Sequence, residues 1–305
     1  MKVDAIVSAV EAEALKFFEG NRRVTGQFKR YLGVRRAAEK AVAREHRKRT
    51  DSVGYSFSEG HYAEKFPASM SLSGAEEQID KHVKSLLPTS TKPVVVFDFG
   101  GGIGLSMIKI AAHNRVEIEG GKLVIGVSNL GYIPSPEPDN DGYTKSAKSL
   151  AVLGKMYGEN PYTPQVLDHV EKNQNLVAFV DAGIEDLPQA TFAPLIGASA
   201  RFSDGVDAVH EKCAIEHTHI PDVALGIFGS HINPAGKLFL SAQKANFMHF
   251  PSPSFYSLML DNGTLLDTTA DGYHKRRGQA LEIGVSLLQT MGYEGRKTRS
   301  YLVFS

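Results

Sequence analysis

The hydrophobic pattern is strongest over Val94-Val95-Val96-Phe97-Asp98-Phe99, an apolar, β-prone run that ends in an acid and meets Gly100-Gly101-Gly102-Ile103-Gly104. Behind the glycines, Leu105 to Ala112 reads as a helix. The order predicts strand, tight turn, helix, the entry of a nucleotide-binding α/β unit. Lys122 to Asn129 and Leu176 to Ala182 read as further buried strands, with Pro164 to Asn173 helical between them. Ile220 to Ile232 predicts a helix, Asn233 to Gly236 a turn and Lys237 to Ala242 another strand. Leu281, Val285, Leu288 and Met291 mark an amphipathic helix over Gly278 to Met291. Gly292 to Ser305 is short for two full strands, so a closing hairpin is expected to be compressed.

Ahead of residue 94 the pattern is helical. Val7, Val10, Ala14, Leu15 and Phe18 recur at helical spacing up to a stop at Gly20-Asn21, and Gly74 to Leu87 forms a second helical stretch. Arg36, Lys40, Arg44 and Arg47, within a basic segment from Arg22 to Arg49, would stack on one helix face. That face is either solvated or a phosphate footprint, and the first reading is preferred because the formal net charge of the chain is zero. Pro88 and Thr89 to Pro93 read as a linker. The chain thus divides into a helical extension over 1–90 and a main domain over 91–305. Within the latter, an insertion rich in Pro, Gly, Asp and Tyr over about 131–164 and an irregular stretch over about 243–277 leave the carboxyl ends of strands, where open α/β sheets bind ligands.

Composition narrows the classes. With 305 residues and 42% hydrophobic content, the chain can build one large or two modest domains. The single Cys213 excludes an internal disulfide and a cysteine-rich metal site, and suggests a reducing, cytoplasmic setting. The N-terminal apolar stretch is too short and too acidic for a signal peptide, and no uncharged run approaches a membrane span. There is no internal repeat.

The glycine spacing decides the kind of loop. A dinucleotide fingerprint begun at Gly100 and Gly102 would need a glycine at Leu105, and no G-K-[ST] follows for a phosphate-binding loop. The residues instead spell D-x-G-x-G-x-G, with Asp98, Gly100, Gly102 and Gly104, which resembles the first motif of class I S-adenosylmethionine-dependent methyltransferases. Phe202 to His217, with Asp204-Gly205 at its start and Glu211 within it, is similar to the fourth strand of that family and the loop after it. The resemblance covers 94 to about 242 well and the two ends poorly. It implies an α/β fold with a doubly wound, mostly parallel seven-stranded sheet of order 3-2-1-4-5-7-6, the seventh strand antiparallel, preceded by a helical cap. It also implies S-adenosyl-L-methionine as cofactor, its amino-acid end on Asp98, Gly100, Gly102 and Gly104, its adenine on Asp181 and Ala182, and Glu211 among the cofactor contacts. At the end of the second strand the family commonly carries an acid for the ribose, whereas this chain offers Ser128 and Asn129, weaker neutral partners.

Methyl transfer from a sulfonium needs an in-line lone pair more than it needs a metal, and a hydroxyl acceptor is helped by a base. His210, Glu211 and His217 are the candidate bases. Tyr55, His61, Tyr62, Phe247 and His249 are candidates for substrate or lid contacts. The histidines and acids over 210–219 lack the H-E-x-x-H spacing, so no metal is assigned. The preferred expectation is transfer to oxygen or nitrogen of a small molecule, with no membrane partner and the oligomeric state open. An RNA or protein methyltransferase using the basic 22–49 segment is the enzymatic alternative, and a non-catalytic binding or assembly module with the same fold is the other.

Overall fold

The computed structural model describes residues 3–17, 70–72, 74–101, 104–128, 164–180, 182, 184, 187–211, 215, 221–240, 283–298 and 301–305. The described elements are α1 (Val3–Phe17), α2 (Ala75–Leu86), β1 (Val94–Phe99), α3 (Leu105–His113), α4 (Arg115–Glu119), β2 (Leu123–Ser128), α5 (Pro164–Asn173), β3 (Ala178–Val180), β4 (Thr191–Phe192), β5 (Ala200–Arg201), β6 (Val206–Glu211), α6 (Pro221–His231), β7 (Ile232–Leu240), β8 (Gly295–Lys297) and β9 (Leu302–Phe304). Residues 283–290 are also helical. The architecture is α/β. The main, mostly parallel sheet has seven strands in the order β3-β2-β1-β6-β7-β9-β8, and β4 and β5 form a separate antiparallel ribbon. The labels differ from the expected 3-2-1-4-5-7-6 because the two ribbon strands each take a number.

The chain forms two compact units. The larger comprises Asp51–Lys212 and His231–Leu240 and holds β3, β2, β1, β6 and β7, each parallel to its neighbour. Every residue of β1 and β2 is buried, as their unbroken apolar runs require of strands covered on both faces. The β4–β5 ribbon carries Phe192 to the sheet. Its ring stacks on Phe97 at 5.4 Å, Phe202 meets Phe97 edge-on at 5.2 Å, and Gly126 leaves room for the Phe192 ring where a Cβ would stand 2.5 Å from it.

Polar contacts seat α2 on α3. The buried Lys109 ammonium lies 2.9 Å from Glu76 Oε2, Ser106 Oγ donates to Glu76 Oε1 at 2.9 Å, and Asn114 Nδ2 donates to Asp80 Oδ1 at 2.7 Å. A buried pair of this kind fixes register, because removing one partner strands the other charge at a cost of about 3–5 kcal/mol. At the amino edge of the sheet, the Asp207 carboxylate accepts Val95 N–H at 2.7 Å and Asn233 Nδ2 at 2.7 Å, while His82 Nε2 lies 3.1 Å from the Asp207 carbonyl oxygen. The expected turn at Asn233–Gly236 lies inside β7: the register passes from Val206↔Ile232 to Ala208↔Lys237, so those residues form a bulge.

The smaller unit comprises Met1–Thr50, Cys213–Ser230 and Ser241–Ser305. Ile6, Val10 and Ala14 form the buried stripe of α1. Gly226 of α6 lets Ile6 and Leu287 approach, and Gly284 does the same for Leu225. Glu13 accepts Ser286 Oγ at 2.6 Å, and Tyr293 Oη donates to the Gly229 carbonyl at 2.7 Å. The antiparallel strands β8 and β9 have three residues each, the short hairpin expected from the length of the C-terminal stretch.

Candidate active site

Parallel register gathers the site. Asp98 of β1 stands opposite Val127 of β2 and His210 of β6, and Phe99 stands opposite Ser128 and Glu211. Asp98, Ser128, His210 and Glu211 therefore lie at the carboxyl edge of three adjacent strands, where Asp98 and His210 touch although they are 112 positions apart in the chain. All four are buried. His210 Nδ1 lies 2.9 Å from Asp98 Oδ1, and each side chain is 3% exposed.

The loop that leaves β1 is shaped around this carboxylate. Gly100 has φ 69° and its N–H donates to Ser128 Oγ at 3.1 Å. A Cβ on Gly101 would overlap Asp98 Oδ2, so this glycine sets the position the acid can take. Gly104 is left-handed, with φ 74° and ψ 18°, and a Cβ there would stand 2.8 Å from the Phe179 ring. Both constraints select glycine. Gly104 also begins α3 without a side-chain cap and with no acid in the first turn, so the helix presents amides and the positive end of its dipole beside the loop.

Of the residues singled out from sequence, Asp98, Gly100, Gly104, Ser128, His210 and Glu211 lie at or next to this edge, and Ala182 is buried two residues beyond the end of β3. Gly102, Asn129, Asp181, His217, Tyr55, His61, Tyr62, Phe247 and His249 lie outside the described residues. Ser128 does something the sequence reading did not assign: its hydroxyl anchors the glycine loop. Gly101, the glycine in contact with the acid, was missed because the motif counts only alternate glycines. The Asp98–His210 bond was missed because only strand register shows it. Among the described residues there is no cluster of histidines, cysteines and acids able to hold a metal, and no helix long and apolar enough to cross a membrane.

The seven-stranded, mostly parallel sheet fits the class I methyltransferase fold. No protein-family model matches the sequence, and no curated protein matches it. Solved structures similar to this chain include the citrinin polyketide synthase CMeT domain, with 12% identity over 75% of this chain and a TM-score of 0.37. The chain spans 51% of that protein's length. An O-methyltransferase family protein from Burkholderia thailandensis matches at 11% identity over 91% of this chain and 70% of its own, with a TM-score of 0.33. The plantazolicin methyltransferase, solved with a pentazolic desmethyl analogue and S-adenosylhomocysteine, matches at 9% identity over 92% of this chain and 96% of its own, with a TM-score of 0.37.

Proposed function

We propose that this protein is an S-adenosylmethionine-dependent methyltransferase that transfers a methyl group to oxygen or nitrogen of a small-molecule acceptor. The observation that carries the reading lies around the end of β1, where a buried carboxylate lies against Gly101 and α3 starts uncapped after Gly104. Such a loop fits a zwitterionic amino-acid group. Asp98 complements an ammonium, the amides at the start of α3 complement a carboxylate, and the glycines let the ligand approach the backbone. The carboxyl edge of a parallel sheet is also where α/β proteins bind nucleosides.

On this reading Asp98, Gly100, Gly102 and Gly104 hold the amino-acid end, Asn129 the ribose, and Asp181 with Ala182 the adenine. S-adenosylmethionine, when bound, supplies a sulfonium methyl group that is already electrophilic. What the chain must add is positioning of the acceptor and, for a hydroxyl, removal of its proton. Glu211, at the end of β6, and His217 beyond it are the residues proposed for that edge. The division into a helical extension over 1–90 and a cofactor-binding domain over 91–305, with substrate-shaping segments at about 131–164 and 243–277, belongs to the same proposal, as does a cytoplasmic location.

Calorimetric titration with S-adenosylmethionine and S-adenosylhomocysteine, beside Asp98→Ala, tests it. Micromolar binding that the variant loses is the expected result, followed by methyl transfer to a small hydroxyl or amine acceptor. Absence of binding to either ligand would overturn the reading in favour of a binding or assembly module.

A further inference from the structure

We propose that His210 is a positioning residue for Asp98: its ring holds the carboxylate in the one orientation that receives the cofactor's ammonium group. The inference rests on the S-adenosylmethionine reading above. It rests equally on the geometry of the pair.

Asp98 is the second-last residue of β1, and a carboxylate has a broad, nearly two-fold χ2 with little of its own to fix it. Two contacts remove that freedom. Register places His210 directly opposite Asp98 on β6. Nδ1 then lies 2.9 Å from Oδ1, well within hydrogen-bond range. Oδ2 occupies the space that a Cβ on Gly101 would take. An ionised carboxylate only accepts, so Nδ1 must carry the proton, which fixes the tautomer of the ring. With the ring neutral the pair keeps one negative charge, the complement of an ammonium. The donor also offsets part of the cost of burying an acid whose side chain is 3% exposed.

Nδ1 is thereby committed to Asp98, so a proton taken by His210 from an acceptor would go to Nε2. The role proposed for the ring here is separate from that one and acts on the bound cofactor through Asp98.

The test uses two ligands that differ at the amino-acid end. S-adenosylhomocysteine carries the ammonium, and 5′-methylthioadenosine lacks the whole amino-acid end. His210→Phe keeps a ring but removes the donor, and should weaken S-adenosylhomocysteine binding about tenfold, the loss of one hydrogen bond to a charged group, while 5′-methylthioadenosine binding stays unchanged. His210→Asn, whose amide can donate to Asp98, should restore most of the affinity. In an Asp98→Asn background His210→Phe should add nothing, because the two residues act as a unit. Nitrogen NMR of the ligand-free protein gives a readout independent of binding: the His210 ring should be the Nδ1–H tautomer in the wild type and lose that preference in Asp98→Asn.

Equal loss of both ligands in His210→Phe, no loss of either, or failure of the Asn variant to rescue would overturn the positioning role. So would an Nε2–H tautomer in the wild type. A wild type that binds neither ligand would overturn the cofactor reading and this inference with it. A wild type that binds while His210→Phe changes nothing overturns this inference alone.

Discussion

Two aspartates on neighbouring strands sit at opposite edges of the same parallel pair and are used in opposite ways. At the amino edge both carboxylate oxygens of Asp207 are occupied, one by the backbone N–H of Val95 and the other by Asn233 Nδ2, and its carbonyl meets His82. Those donors come from β1, β7 and α2, so this acid ties three elements together. At the carboxyl edge Asp98 bonds one ring nitrogen through Oδ1, and its second oxygen lies over a glycine. A carboxylate saturated by its own fold is part of the frame. One held, among the described residues, from a single side, with a glycine against its other oxygen, is arranged to meet something else.

The comparison breaks most visibly if the two acids are exchanged in importance. Asp207→Ala leaves two donors without acceptors and should lower the free energy of unfolding by about 3 kcal/mol, the order expected for two hydrogen bonds to a charged group with partial relaxation. Urea unfolding measures it, and the protein that remains folded should bind S-adenosylhomocysteine as the wild type does. Asp98→Ala should do the reverse, abolishing measurable binding for about 1–2 kcal/mol of stability, the cost of one unpaired buried donor. Greater destabilisation by Asp98→Ala than by Asp207→Ala would end the distinction between frame and site.

Smaller changes sharpen it. Gly101 does not have the left-handed backbone of Gly100 and Gly104, so Gly101→Ala adds a methyl group without straining the chain. That methyl meets the Asp98 carboxylate first. Ligand affinity should fall about tenfold while the melting temperature moves by only a few degrees, the shift expected for about 1 kcal/mol. Ser128→Ala removes the acceptor of the Gly100 N–H and should weaken binding by a few-fold, about 1 kcal/mol or less. An unchanged affinity in Ser128→Ala would show that the rest of the loop holds Gly100 without it.

The frame was more legible in the sequence than the site. Val94–Phe99 and Leu123–Ser128 could be read because strands buried on both faces need continuous apolar runs, and each is buried throughout. The helix after the glycines and the short terminal hairpin were legible for similarly local reasons. Errors fell where tertiary contacts set the local conformation. Leu176 and Phe202, read as parts of strands, lie in 3-10 turns, and the residues read as a turn at Asn233–Gly236 form a bulge within β7. The β4–β5 ribbon was not foreseen, since two-residue strands leave no periodicity to detect. At the site, individual residues carried recognisable chemistry, but their pairing depended on the register of β1 against β6, which no local pattern encodes.

The smallest expected effect lies at the amino edge and depends on pH. Burial, followed by the nearby Lys237 charge, lowers the pKa of His82, outweighing the Asp207 carbonyl and carboxylate that favour the protonated ring. Its unfolded-state pKa is about 6.5. As pH falls through that value the unfolded chain takes up the proton first, so the unfolded state binds more protons and stability declines toward the folded-state pKa. His169 titrates in the same direction, lowered by burial and by His113 and Lys109, so His82 accounts for only part of the slope. His82→Gln keeps an amide donor for the Asp207 carbonyl but cannot titrate. Its urea midpoint should therefore fall less than that of the wild type between pH 7 and about pH 5.5, with His169→Gln removing a further share, and S-adenosylhomocysteine affinity should not follow the midpoint. If the His82→Gln slope matches the wild type, the acid sensitivity belongs to other groups. If ligand affinity instead tracks the midpoint, the two edges are coupled and the separation between frame and site is lost.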